Sequence, residues 1–136
     1  MIQQKEIILP ALSRGFHIIT SQIEKELENL PESGLLNIFI KHTSAGLTIN
    51  ENADPSVIDD FESFMKRLVP EDTSLFSHTM EGSDDMPAHI KSSVFGVSLN
   101  IPISQHRLNL GTWQGIYLCE FRNSRHRRKL VLTIYS

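Results

Sequence analysis

Six histidines and 16 acidic residues are spread over 136 positions, yet those able to act together fall in two short blocks. The block from Phe76 to Ser93, FSHTMEGSDDMPAHIKSS, holds His78, Glu81, Asp84, Asp85 and His89 with little apolar content at its start. The block from His42 to Asp54, HTSAGLTINENAD, adds His42, Thr43, Ser44, Asn50, Glu51 and Asp54. Neither block can build a core, so each is a solvated loop or part of a site. Neutral imidazole nitrogens suit zinc and its neighbours, and carboxylates complete such a shell. His42, His78 and His89, supplied from three separate loops, would be three ligands with one coordination position open. The competing chemistry is metal-free acid–base catalysis, in which Glu51 or Glu81 polarises a histidine near its natural pKa. Each residue taken singly has an ordinary reading: His78 in a loop, His89 capping a helix, Glu81 solvated. The crowding of site-capable groups in two core-free stretches is what favours a site. His17, His106 and His126 have no such company.

These blocks need a frame, and the remaining sequence supplies one. Ile2 to Leu9 reads as a strand closed by Pro10, and Phe16 to Ile19 as a second strand behind a Ser13-Arg14-Gly15 turn. Ser21 followed by Glu24 is a capping-box pattern for a helix ending near Pro31, with Ile23, Leu27 and Leu30 on one face. Leu36, Ile38 and Ile40 alternate with Asn37, Phe39 and Lys41, a strand that delivers His42 at its C-terminal end. Leu47 to Asn50 returns to strand character. Asp54-Pro55 is a strong helix start. Beyond it Val57, Ile58, Phe61, Phe64, Met65 and Leu68 form a stripe expected in the core, and Pro70 ends the helix. The next loop pivots at Gly82. Asp84 or Asp85 then caps a helix beginning near Pro87, with Met86, Ile90 and Val94 expected as its buried face and His89 in its first turn. Such a position suits phosphate or carboxylate groups, which free N–H groups and the helix dipole attract. From Gly96 the chain reads as β: VSLNIPI, RLNL, GTWQGIYLCEF and KLVLTIY. In GIYLCEFR both alternating sets are largely apolar, so this strand must be covered on both faces by a second sheet, helices or a subunit interface.

Composition narrows the class. Hydrophobic residues at 40% and charged residues at 21% describe one ordinary globular domain spanning residues 1–136. No apolar run approaches a membrane span, and the start, MIQQKEIILP, reads as a strand rather than a signal peptide. The single cysteine, Cys119, rules out an intrachain disulfide, in keeping with a reducing cytoplasm, and its apolar strand makes it a poor nucleophile. Ten of the 16 acidic residues lie between Glu51 and Asp85, and five of the 13 basic ones lie between Arg122 and Lys129 in RNSRHRRK. That basic run reads as a solvated turn between strands, since no recognition helix, paired-cysteine finger or aromatic RNA-binding strand accompanies it. Neither a nucleic-acid nor a membrane partner is expected. Ser44 lacks a nucleophile-elbow pattern, and the Gly46 turn lacks the Gly-Lys-Ser/Thr of a phosphate loop. Trp113-Gln114, between Gly111 and Gly115, is a packing anchor or the wall of a ligand pocket.

Three segments together resemble the YjbQ-like family, also known as the secondary thiamine-phosphate synthase family. They are HTSAGLTINENADP (His42 to Pro55), HTMEGSDDMPAHIKSS (His78 to Ser93), and SLNIPI with LGTWQGIYLCEFR (Ser98 to Arg122). The match runs nearly end to end, in order. It departs from the family around Gln105 and His106, where relatives carry a Gly and a longer variable turn, and Ser83 falls where relatives vary. The resemblance implies an α+β fold of mixed or antiparallel sheets in a sandwich-like arrangement with about three helices, trimerising through the sheets as a homotrimer. It also implies that His42, His78 and His89 cluster, with Glu51, Asp54, Glu81, Asp84 and Asp85 near them, and that the activity is weak thiamine-phosphate synthesis. Such a reaction needs anion-holding groups, which a metal, helix N-termini and Arg122 would supply. The full expectation is a small cytoplasmic enzyme acting on an unidentified anionic or phosphorylated small molecule. His42, His78 and His89 would hold a divalent metal, zinc or similar. Glu81, Glu51 and Asp85 would do the catalytic work, and Thr43, Ser44, Asn50, Trp113, Gln114 and Arg122 would contact the substrate. The alternative is a non-catalytic ligand-binding or interaction module using the same pocket.

Overall fold

The computed structural model describes all residues, 1–136. The elements run β1 (Ile2–Ile8), β2 (Gly15–Ile18), α1 (Thr20–Lys25), β3 (Ser33–Ile40), β4 (Ala45–Glu51), α2 (Pro55–Leu68), α3 (Asp85–Phe95), β5 (Ser98–Ser104), β6 (Arg107–Leu108), β7 (Gln114–Glu120) and β8 (Lys129–Tyr135). A five-stranded sheet has the order β1-β8-β3-β5-β6 and a three-stranded sheet the order β2-β7-β4. Every strand pair is antiparallel. The class is α+β with two sheets and three helices, as expected. No helix is long and apolar enough to cross a membrane.

The two sheets bury alternate residues against each other. Leu36, Ile38 and Ile40 of β3, Ile101 and Ile103 of β5, Leu130, Leu132 and Ile134 of β8, Leu47 of β4, and Ile116 and Leu118 of β7 share one core. Each such side chain contributes about 1.5–3 kcal/mol by leaving water. The other face of the small sheet carries Phe16, Tyr117 and Cys119, which with Phe121 pack against Met65 and Val69 from the α2 segment and Ala88 of α3. This explains the two-sided apolar β7: a sheet covers one face and helices the other, all within one chain. Burial also drives the Cys119 thiol far up from its ordinary pKa, so it stays protonated and inert. In the native protein an excess of a thiol-specific chromogenic reagent should leave Cys119 unmodified, with one thiol per chain appearing only on denaturation.

Three helical expectations need correction. Helix α1 spans only six residues with no side-chain cap. Ser21 turns its hydroxyl to Gln22 instead of closing the box with Glu24. Helix α2 begins as expected, with the Asp54 carboxylate accepting from the Ser56 amide at 2.9 Å. Its stripe is only partly core, however: Met65 is buried, while Phe64 and Leu68 are 60% and 59% exposed. Helix α3 starts two residues before Pro87, and its buried set is Asp85, Pro87, Ala88, Lys91 and Ser92 rather than Met86, Ile90 and Val94. The helix has rolled to place polar groups inward, because their partners lie in the body of the protein.

Candidate functional site

Helix α3 sets two donors by its geometry alone. Asp85 and His89 are four apart and therefore stacked on one face, and His89 Nε2 lies 3.1 Å from Asp85 Oδ2. The third group comes from the loop before the helix. That loop turns at Gly82, whose φ of 108° favours glycine, and it returns His78 so that its Nε2 lies 2.7 Å from the same Asp85 oxygen. The two imidazole rings are 5.5 Å apart, centroid to centroid. Ligand atoms of His78, Asp85 and His89 all fall within 4.8 Å of one another.

Second contacts fix these groups. The Nδ1 of His89 lies 2.8 Å from the Thr43 carbonyl oxygen. A carbonyl only accepts, so Nδ1 carries a proton and Nε2 is the nitrogen turned towards Asp85. A backbone carbonyl on the far nitrogen is the usual way a metal-binding imidazole is oriented. Asp85 is 1% exposed. Arg122 Nη1 donates to its Oδ1 at 2.6 Å, which leaves Oδ2 to the imidazoles. Arg122 Nε also donates to Asp84 Oδ2 at 2.9 Å, and Nη2 donates to the Glu81 carbonyl at 3.0 Å. Burial raises the Asp85 carboxyl pKa, but the His78 hydrogen bond and the charges of His89 and Arg122 outweigh it and hold the group below its ordinary range. Asp84 is likewise held low: burial opposes ionisation, but the Asn123 amide and Arg122 prevail. With two imidazole nitrogens and one carboxylate oxygen converging, the donors match what zinc and its neighbours take.

The His42 block meets this site through the backbone. Besides the Thr43 contact, Ser92 donates to the Ala45 carbonyl at 2.8 Å. Arg128 Nη2 reaches the Ser44 hydroxyl at 3.1 Å while its Nε donates to Glu120 Oε1 at 2.7 Å. A pocket of about 430 Å³, lined by His42, Thr43, His89, Ser92, Ser93 and Val97, opens beside the cluster. A larger cavity of about 530 Å³ lies by the β5–β6 turn. Its titratable residues Glu24, His106 and Arg107 make no bonds with one another, and His106 is committed to the Leu30 carbonyl. Chemistry converges at the smaller pocket.

Several expected site residues therefore stand elsewhere. His42 lines the pocket but is outside the three-residue donor group, because its Nε2 accepts from the Lys129 amide at 2.8 Å. Asp85 takes the third place. Arg122 spends its donors on Asp84, Asp85 and Glu81, so it positions the cluster rather than facing a ligand. Ser44 is buried under Arg128. Asn50 and Glu51 lie at the far end of β4, in register with Gly115 and Gln114. Seven residues of strand put them roughly 20 Å from the Thr43 end. Trp113 is 65% exposed and belongs to neither core, so it does not anchor packing in this chain. Glu81 is exposed on the loop, close enough to influence Asp85. The missed elements are the Arg122 clamp and the Arg128–Glu120 pair. The only sequence signal for the donor pair was the Asp85/His89 spacing.

Residues 5–136 match the family described as UPF0047 protein YjbQ-like. The UPF0047 protein YjbQ of Salmonella typhimurium is 51% identical over 136 residues, covering 98% of each chain. The UPF0047 protein YugU of Bacillus subtilis is 44% identical over 110 residues, covering 80% of this chain and 81% of that one. A conserved hypothetical protein of Thermus thermophilus, known from its crystal structure, superposes with a TM-score of 0.82 at 34% identity, over 93% of this chain and 97% of that one. An uncharacterised structure from Clostridium acetobutylicum gives 0.75 at 32% identity, over 97% and 98%. This chain belongs to the YjbQ-like family, UPF0047.

Proposed function

We propose that His78, Asp85 and His89 hold a divalent cation of the zinc class, and that the adjoining pocket brings a small anionic or phosphorylated molecule to it for chemistry. The observation behind this reading is a single buried carboxylate oxygen between two imidazole nitrogens, one of whose rings is pinned by a backbone carbonyl. With His89 Nδ1 committed to Thr43, the Nε2 contact to Asp85 calls for a second proton on the ring or for a cation in the proton's place. Such a cation, when bound, polarises a ligand oxygen or acidifies a bound water. Arg122 keeps Asp85 ionised and oriented, and Glu81, exposed beside it, is the candidate to move a proton.

Thiamine-phosphate formation, which the family resemblance implies, is one candidate reaction for such a site, as a side activity of an enzyme with another main substrate. A homotrimer is part of the proposal: a neighbouring subunit would be the means of bringing Asn50, Glu51, Trp113 and Gln114 to a site that they do not reach within one chain. With its one cysteine unpaired, the protein is assigned to a reducing cytoplasm. The second reading, a binding module without catalysis, draws on the absence of any carboxylate from the pocket lining.

Zinc titration of chelator-treated protein separates these readings. Wild type should bind about one zinc per chain, and His78→Ala and His89→Ala should each weaken that by tenfold or more. If both variants retain zinc uptake and thiamine-phosphate formation at wild-type levels, the proposal fails. Zinc uptake with no turnover of any phosphorylated substrate favours the binding module.

A further inference from the structure

His42 enters the pocket with its ring nitrogens already assigned. The Lys129 amide donates to Nε2 at 2.8 Å, and a backbone N–H can only donate. Nε2 therefore presents a lone pair, and the neutral ring carries its proton on Nδ1. The arrangement is built into the edge of the sheet. The Lys41 amide donates to the Lys129 carbonyl at 3.1 Å, and the His42 ring then stands in as the next acceptor of that ladder. Burial, and then the charge of Arg128, push the His42 pKa down, so the neutral form prevails. Nδ1 has no partner in the protein and is not among the buried polar atoms that lack one, so it is open to solvent. The ring lines the same pocket as His89.

The remaining lining carries no full positive charge outside the cluster. Thr43 and Ser93 offer hydroxyls, Ser92 is committed to Ala45, and neither lysine nor arginine faces the space. The nearby guanidiniums of Arg122 and Arg128 are held in ion pairs with Asp84, Asp85 and Glu120. A chain of phosphates is normally gripped by several cationic donors, whereas a compact oxyanion beside a cation needs only one or two neutral ones. A neutral imidazole also escapes the repulsion that an imidazolium would feel next to a divalent cation.

We propose that His42 is a tautomer-locked neutral donor, giving its Nδ1–H to an oxygen of a compact oxyanion, a carboxylate or a single phosphate, seated beside the His78–Asp85–His89 cluster. This rests on the cation reading of that cluster. His42 is then a ligand-contacting residue rather than a metal ligand. The pocket suits a compact oxyanion better than a pyrophosphate, which fits thiamine-phosphate formation, whose pyrimidine donor carries pyrophosphate, only as a side activity.

The test uses the full chain, with inorganic phosphate and pyrophosphate as probes, in wild type, His42→Phe and His42→Asn. The aspartamide side chain can offer an N–H near the position of Nδ1. Nitrogen-15 shifts of the wild-type ring should show Nδ1 protonated and Nε2 bare. Zinc affinity of His42→Phe should stay within about twofold of wild type, while the zinc-loaded variant should bind phosphate about tenfold more weakly, the worth of one hydrogen bond to a charged acceptor. His42→Asn should recover most of that loss and also serves if the phenylalanine variant folds poorly. Wild type should bind phosphate at least as tightly as pyrophosphate. Loss of zinc from both variants, an Nε2-protonated ring, unchanged phosphate affinity, or clear preference for pyrophosphate would each overturn the proposal. A wild type that takes up no zinc overturns the cation reading instead. The donor role then stands or falls on the ring tautomer and on phosphate binding by zinc-free protein, measured in the same series.

Discussion

Asp85→Ala should lower zinc affinity by about 100-fold or more, the upper end of what even outer-shell partners cost in metal sites. Its carboxylate makes three contacts at the centre of the cluster. Oδ2 is the oxygen both imidazoles face, at 2.7 and 3.1 Å, and Oδ1 takes Arg122 at 2.6 Å. Deletion leaves the largely buried Arg122 guanidinium with Asp84 as its one carboxylate and the Glu81 carbonyl, so stability should fall as well, by about 1–3 kcal/mol for the partner left short. Asp85→Asn separates the two effects. The amide keeps the shape but loses the charge, so the fold should suffer less than the metal site. The wild-type carboxyl also carries a pH signature. Its folded pKa lies below the unfolded value, so its stabilising contribution is complete above the ordinary carboxylate range. It is lost as the pH falls through the lower folded value. Zinc titration with urea melts at neutral and acid pH reads both effects. Wild-type zinc affinity in Asp85→Ala would remove Asp85 from the site.

Glu120→Ala should be the most damaging change to stability, at about 3–5 kcal/mol, because it strands a charge in the interior. Glu120 and Arg128 are 0% and 3% exposed, and Arg128 has no other acid to turn to. The loss would spread to the site. Arg128 also holds the Ser44 carbonyl and hydroxyl, and so fixes the turn on which His42 and Thr43 stand. Replacing both partners, Glu120→Leu with Arg128→Met, should cost much less than Glu120→Ala alone, since no ion is left unpaired. Urea denaturation of the single and double variants decides this. A single variant within 1 kcal/mol of wild type would mean that Arg128 finds water, and that the pair is not closed off as the structure has it.

The strands were legible from local pattern: alternation marks β3, and β7 shows as a short run apolar on both faces behind a glycine. The start of α2 was legible because Asp54-Pro55 is a local signal. The face of α3 was not. A periodicity search looks for apolar residues turned inward, and this helix turns Asp85, Lys91 and Ser92 inward instead. Their environments come from distant chain: Arg122 reaches Asp85 across 37 positions, and the Ala45 carbonyl reaches Ser92 across 47. Beginning the helix at Pro87 also left Asp85 outside it and hid its four-residue step to His89. For His42, the strand end was readable, but its commitment to Lys129, 87 positions away, was not. Local pattern gave the frame and the neighbourhood of the site. His89 follows from its four-residue step to Asp85, but the exclusion of His42 rests on a long-range pairing that no spacing encodes.

The cluster draws two donors from one helix turn and the third from the long connection between α2 and α3, whose only regular piece is a three-residue 3-10 turn at Thr73–Leu75. Holding such a connection in place carries an entropic cost that grows slowly with its length, and its apolar residues repay little of it, since Leu75 and Met80 face solvent. Occupancy of the His78 position and order in this connection are therefore one equilibrium seen from two sides. Whatever binds between His78 and His89 lends its binding free energy to closing the connection, in proportion to the logarithm of its concentration over its dissociation constant.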